Sequence, residues 1–418
     1  MTPPTSRRAF LQRAGTAVAV GAALPLVGGT ARAADAGADP DRLFTEGRFA
    51  EAERAYRDLL RQDSGNAHAT SRVGYLALLS HRFRDAERYL SAALTLAPDD
   101  TETRRLLADC YARQDKFGRA AELLRGTGPV GEATAAQYDG LTGTPYDIRG
   151  ASVTRVPFAG LDPLPHIEAT VPGSAPGTFV LDTGGTFFFS TQMAEQAGLR
   201  ALSSSTGAAA GQAITMYHGV LDSFRIGDVE LRNVPVDWFD WGGLGGVPLP
   251  GGATPAGVIG TSVFRHFRTT LDYANQELVL RRKSSALPPA ARRGTRLPLW
   301  LAGHMPCTLG SVNDYGPRVV SMDTGFMNSG FATTVANAER AGIALDYENP
   351  IQGGLGTAYA IVADRVGLGR AVGEGIRGFA DETSPFDFPF DTLGNVTHEF
   401  FKPFTLTLDY ADMSVRIA

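Results

Sequence analysis

Apolar and small residues recur with a period of 34 between about residues 40 and 126. Phe49, Phe83 and Phe117 form one row, Ala52, Ala86 and Ala120 a second, and Tyr56, Leu90 and Leu124 a third. This period predicts stacked helical hairpins, in which small residues let paired helices approach and larger ones fill the groove between them. From about residue 150 the pattern changes to short apolar runs divided by Gly and Pro, which predicts an all-β segment. Residues 127–149, rich in Gly, Thr and Pro, read as a linker between the two. At the start, Ser6-Arg7-Arg8-Ala9-Phe10-Leu11 precedes an uncharged stretch from Ala14 to Ala31, closed by the small-residue cleavage pattern Ala31-Arg32-Ala33. Gly15, Gly21, Pro25, Gly28 and Gly29 interrupt that stretch, which is barely long enough to cross a bilayer. Residues 1–33 are therefore expected to be a cleaved signal, and no later stretch is apolar enough to form a stable transmembrane segment.

Composition narrows the classes of function. A chain of 418 residues with 43% hydrophobic and 20% charged positions can bury enough apolar surface to fold, and its length suggests two or three domains. Lysine and arginine number 39 against 44 acids, so there is no broad basic surface to neutralise a phosphate backbone, and nucleic acid is not an expected partner. Loss of Arg7, Arg8, Arg13 and Arg32 with the signal takes the net charge from -5 to -9. Cys110 and Cys307, about 200 residues apart, encode neither a disulfide framework nor a cysteine-based zinc site. The seven histidines show no His-Glu-x-x-His pair or other close metal spacing, so neither metal nor cofactor is expected. Ser262 sits in Gly-Thr-Ser-Val-Phe, which lacks the second glycine of a nucleophile elbow. The loop from Gly242 to Gly252 and the run Gly367, Gly369, Gly373 read as turns rather than phosphate cradles, since neither opens a helix after a strand. Asn395-Val396-Thr397 matches a glycosylation acceptor and reads as incidental.

A second period, near 140, runs through the β segment. Phe179-Val180-Leu181-Asp182-Thr183-Gly184-Gly185 returns as Val319-Val320-Ser321-Met322-Asp323-Thr324-Gly325-Phe326. Thr215-Met216-Tyr217 returns as Thr357-Ala358-Tyr359, and Ile226-Gly227 as Leu368-Gly369. Val258-Ile259-Gly260 is answered by Thr392-Leu393-Gly394, and Thr270-Leu271-Asp272-Tyr273 by Thr407-Leu408-Asp409-Tyr410. Two lobes are expected, 150–283 and 294–418, joined at Ser284 to Arg293, which contains Pro288 and Pro289.

Three resemblances follow from these residues. Gly74, Phe83, Ala86, Leu90, Ala93 and Pro98 fall at the positions of a tetratricopeptide repeat, so 40–126 is similar to a short array of that family. Such an array serves either as a peptide-docking groove for a protein partner or as a helical cap on the domain that follows. The first 33 residues resemble a twin-arginine export signal, which implies a bacterial periplasmic or secreted protein. The paired hydrophobic-hydrophobic-Asp-Thr-Gly segments resemble the retropepsin and pepsin-like aspartic peptidases over nearly all of 150–418. The expected fold class is thus an α-helical repeat array followed by an all-β bilobal acid-protease fold.

The last resemblance implies that Asp182 and Asp323, one from each lobe, meet across a pseudo-twofold axis and hydrolyse peptide bonds in a peptide or protein substrate. Like charges about 3 Å apart do not both ionise cheaply, so such a pair shares one proton. One member acts as general base on a bound water and the other donates to the carbonyl oxygen. Thr183 and Thr324 are expected to hydrogen-bond across the lobes, and Gly184 and Gly325 to let each loop turn and point N–H groups at the carboxylate. Tyr217 and its copy Tyr359 lie where the family places a flap over substrate; the alternative is a strand tyrosine without that role. Gly185 and Phe326 depart from the small hydroxyl or methyl side chain common after Asp-Thr-Gly. A phenylalanine there either crowds the site, leaving an inactive peptide-binding or scaffold protein of the cell envelope, or adds a specificity wall.

Overall fold

The computed structural model describes residues 39–209, 212–240, 249, 252, 254–289, 293–353, 356–384 and 386–418. The expected export signal and most of the loop from Gly242 to Gly252 lie outside the described residues. Seven helices come first among the described residues: α1 (Pro40–Thr45), α2 (Phe49–Gln62), α3 (Ala67–Leu79), α4 (Phe83–Leu96), α5 (Thr101–Ala112), α6 (Phe117–Leu124) and α7 (Pro129–Asp139). The 34-residue period has a simple geometric origin, because Phe49, Phe83 and Phe117 each occupy the first position of the second helix of a hairpin. Asn66 and Asp100 start α3 and α5 by accepting hydrogen bonds from the Ala69 and Thr103 N–H groups at 2.9 and 3.1 Å. At Gly74 a Cβ would lie 2.9 Å from the Leu90 backbone nitrogen, so only glycine lets α3 and α4 pack this closely.

The segment 127–149 corrects the expectation of a linker. It contains α7, begun by Pro129 at a position whose N–H has no helical partner, and then the strand Asp147–Gly150, which pairs with Val229–Phe239. Gly131 and Thr134 lie within α7, and the segment's other Gly, Thr and Pro residues stand at the ends of these elements or between them. The chain does not leave the body of the protein here: buried Gln137 donates to the carbonyls of Gly219 and Val236, both at 3.0 Å, and to Asp237 Oδ1 at 2.9 Å.

The β portion repeats one topology twice. In the first lobe, His166–Ala169, Gly177–Asp182, Gly257–Gly260, Phe188–Ser190, Val229–Phe239, Gln212–Ile226 and Ser203–Ala209 lie side by side in that order. In the second lobe, Met305–Val312, Tyr315–Asp323, Gly394–Thr397, Phe331–Thr334, Ala371–Asp381, Gly356–Leu368 and Ile351–Gly353 follow the same order, with Trp300–Ala302 added at the edge. A third sheet belongs to both lobes, built from Val153–Pro157, Glu277–Arg282, Phe267–Asp272, Thr405–Asp409, Ser414–Ile417 and Thr295–Pro298. At its middle Thr270 faces Thr407, their hydroxyls 2.8 Å apart, which puts residues 137 apart in sequence on a local twofold axis.

One apolar core runs through both lobes, from Phe179, Phe189 and Phe224 to Val320, Phe331 and Val396. A second joins the helices to the second lobe, with Phe44, Phe49 and Tyr75 packed against Trp300, Cys307, Val319 and Phe390. Phe49 meets Trp300 and Phe390 edge-on, with ring centroids 5.5 and 5.3 Å apart. This explains why α3 is buried nearly all round from Val73 to Leu79: one face meets its neighbouring helices and the other the β domain. Polar contacts tighten the joint. Arg113 donates to the carbonyls of Leu301 and Gly303 at 2.9 and 3.2 Å, and Arg265 to the carbonyl of Arg113 at 2.8 Å.

Candidate active site

Asp182 and Asp323 end their strands at equivalent points. Gly177–Asp182 runs parallel to Gly257–Gly260 with Asp182 opposite Gly260, and Tyr315–Asp323 runs parallel to Gly394–Thr397 with Asp323 opposite Thr397. Parallel neighbours on this side and the return strands beyond them bury both segments, which is why their sequences are almost continuously apolar up to the acid. The loops that follow cross over. The Thr183 N–H donates to Thr324 Oγ1 at 3.0 Å, and the Thr324 N–H to Thr183 Oγ1 at 3.1 Å. Each hydroxyl then donates into the other lobe, Thr183 to the Met322 carbonyl at 3.0 Å and Thr324 to the Leu181 carbonyl at 2.8 Å. All four bonds are buried, so each is shielded from competition by water.

The lock brings the two carboxyl groups together. They lie close enough to perturb each other's ionisation, and both residues are 8% exposed. Gly184 N–H donates to Asp182 Oδ1 at 2.7 Å and Gly325 N–H to Asp323 Oδ1 at 2.9 Å. The glycines also sit against the opposite acid: a Cβ at Gly325 would lie 2.2 Å from Asp182 Cγ, and one at Gly184 2.7 Å from Asp323 Cγ. Gly185 is equally constrained, since a Cβ there would come within 2.5 Å of Asp182 Oδ2. Phe326 is buried at 4% exposure and does not hold the aspartates apart.

The two acids have unequal surroundings. Burial raises the pKa of both. For Asp182 the Asp323 charge and their mutual hydrogen bond push it further, to well above the ordinary aspartate value. For Asp323, hydrogen bonds from Asn395, Asp182 and Gly325 work against burial. The Asn395 amide donates to Asp323 Oδ2 at 3.1 Å, and the Ser321 hydroxyl donates to Asn395 Oδ1 at 2.9 Å. At the matching places of the first lobe stand Val258 and Val180, which offer no hydrogen bond.

That match corrects the alignment of the two halves. Val258-Ile259-Gly260 corresponds in the sheets to Asn395-Val396-Thr397, not to Thr392-Leu393-Gly394. The glycine was a misleading landmark because the second lobe has Thr397 where the first has Gly260. Asn395 is 1% exposed, its side chain committed to Asp323 and Ser321.

Among the described residues neither tyrosine hydrogen-bonds to the acids. Tyr217 lies in the hairpin formed by Ser203–Ala209 and Gln212–Ile226, is 38% exposed and stacks on Trp238 with centroids 5.8 Å apart. By strand alternation the opposite face belongs to Ile214 and Met216, which pack on Val180, Phe188, Phe239, Val258 and Met327. Tyr359 is nearly buried and meets Tyr347 edge-on at 5.0 Å. A group that no sequence spacing signalled also forms: Asp162, His398 and Glu399 converge, with Lys402 Nζ 2.6 Å from Asp162 and 2.8 Å from Glu399.

Comparison with curated proteins finds no match. Among solved structures, one described as "Crystal structure of MamA" aligns at 23% identity over 25% of this chain, with a TM-score of 0.22. The chain spans 63% of that structure's length. The family model for tetratricopeptide repeats matches residues 77–142, a range that includes α7. The family model described as aspartyl protease matches residues 167–263, covering Asp182-Thr183-Gly184 and ending before the second aspartate.

Proposed function

We propose that the protein is an exported aspartic endopeptidase in which Asp182 and Asp323 activate a water molecule. The observation that carries this reading is that two buried carboxyl groups from opposite lobes come together, each packed against the glycine turn that follows the other. Such a pair carries one proton over a working pH range. Each acid accepts a glycine N–H, but only Asp323 has an amide neighbour, Asn395, to favour its charge, so Asp323 serves as general base and Asp182 carries the proton. Water attacks the peptide carbonyl carbon, its proton passes to Asp323, and the Asp182 proton passes to the carbonyl oxygen. The resulting diol collapses as the nitrogen takes a proton from Asp323 and the carbon–nitrogen bond breaks. Asp182 regains its proton as the new carboxyl forms. No covalent bond to the enzyme is made.

The hairpin carrying Ile214 and Met216 supplies a cover over the apolar wall beside Asp182. The shared core between helices and second lobe supports the cap reading of the repeats rather than a freely presented groove. The Arg7-Arg8 motif and Ala31-Arg32-Ala33 support export to the periplasm or beyond; N-terminal sequencing of the protein recovered from the periplasm should begin after Ala33. Asp182→Asn and Asp323→Asn should each abolish cleavage of a denatured protein substrate, and undiminished activity in either variant would refute the assignment. Peptide binding without turnover by the unaltered chain across acidic and neutral pH would select the inactive, peptide-holding alternative.

A further inference from the structure

The two lobes present matching sheet faces beside the aspartates, and the faces differ in chemistry. On the first lobe, Val180 pairs with Val258, Val258 with Phe188, and Ser190 with Phe239. Val180, Val258, Phe188 and Phe239 form one apolar cluster with Met327. The same pairings on the second lobe put Ser321, Asn395, Ala332 and Asp381 in their places. Directly paired residues share a face of a sheet, so Asp381 lies on the face that carries Asn395 and Asp323, where the first lobe has Phe239. Serine for valine, alanine for phenylalanine and aspartate for phenylalanine replace apolar bulk with smaller or polar groups, while Phe379, opposite Ala332, stands where the first lobe has Asp237.

Asp381 is 4% exposed, comparable to the aspartate pair itself. Ser321 and Asn395 are engaged with each other and with Asp323, whereas no hydrogen bond or ion pair to the Asp381 carboxyl is found among the described residues. Burial lifts its pKa to about 6, with no neighbouring cation to hold it down. A carboxylate taken out of water without a partner is costly, and a protein keeps one most readily where a ligand supplies the missing charge.

We infer that the second-lobe wall of the cleft is a subsite for a cationic side chain, lysine or arginine, of a peptide substrate, with Asp381 as its counter-ion. This rests on the peptidase reading and names its substrate class. Phe379, opposite Ala332 on the same face and only half-buried, offers a surface for a long aliphatic stem, and the chain's net negative charge attracts basic peptides. Lobe-one contacts select an apolar residue elsewhere in the same substrate.

The test digests a mixed peptide library with the full chain at pH 7 and reads cleavage sites by mass spectrometry. Lysine or arginine should be enriched at one fixed position relative to the cleaved bond. For a matched pair of peptides with lysine or norleucine at that position, the kcat/KM ratio should fall at least about tenfold in Asp381→Asn. It should recover in part in Asp381→Glu. Cleavage without basic enrichment, or the same ratio in Asp381→Asn, overturns the subsite. If nothing is cleaved, the peptidase reading fails by itself. Fluorescence anisotropy of lysine and norleucine peptides on the full chain and Asp381→Asn then decides the subsite: it stands if lysine binding alone weakens and is overturned if both bind alike.

Discussion

Single side chains decide the chemistry, and Asn395 is the most informative. Its amide holds down the pKa of Asp323, so Asn395→Val, which copies Val258 of the other lobe, should raise it. The acid limb of the kcat/KM profile reports loss of the first proton from the pair and should move to higher pH in this variant. Asp381 gives a stability prediction independent of catalysis. Its folded pKa of about 6 stands above the unfolded value near 3.9, so the folded state binds the proton more tightly. Stability is therefore lost as pH rises from about 4 through about 6, by about 3 kcal/mol once the group is ionised. Asp381→Asn should raise Tm at pH 7 and leave it nearly unchanged at pH 4, as thermal scans at the two values will show. Asp182 and Asp323 were legible because the whole Asp-Thr-Gly motif is repeated in each half. Asn395 and Asp381 were not, since each stands where its counterpart is apolar, and a duplication is recognised by what the halves share.

Among the elements, α7 and the hairpin Gln212–Ile226 with Val229–Phe239 form the least anticipated joint. Gln137 donates to two carbonyls at the hairpin's base, and Ser203 of the adjoining strand donates to the Ala133 carbonyl at 2.6 Å. Gln137→Ala leaves buried acceptors unpaired and should cost about 1–3 kcal/mol in urea unfolding, with faster amide exchange along the hairpin. Within that hairpin Met216, not Tyr217, faces the apolar wall. Tyr217→Phe should therefore change kcat/KM less than Met216→Ala, which removes buried apolar contact and should raise KM. Spacing from Asp182 placed the hairpin correctly in sequence, but the two faces of a strand exchange with a shift of a single residue. The helix in 127–149 is hidden in the sequence for a different reason: its Ala-rich turns are short and bounded by glycine and proline, so composition alone resembles a connector.

The whole molecule is one cooperative body more than a repeat array joined to a separate β domain. Trp300, Met305, Cys307, Val319 and Phe390 owe their burial to the cluster they share with the helices. A chain shortened to begin after α6 would expose them and should be recovered aggregated, while the complete chain should show a single calorimetric transition; two separated transitions would contradict the shared core. The 34-residue and 140-residue periods made both architectures readable, yet how they meet was hidden, because Trp300 and Phe390 occur outside either period. The hydroxyl crossing of Thr183 and Thr324 has an evolutionary consequence. An assembly of two identical subunits could build that crossing just as well, but it could never give one acid an amide companion and its twin a valine. Within a single polypeptide the halves are free to diverge, and which acid of the pair has the amide neighbour is written into the chain itself.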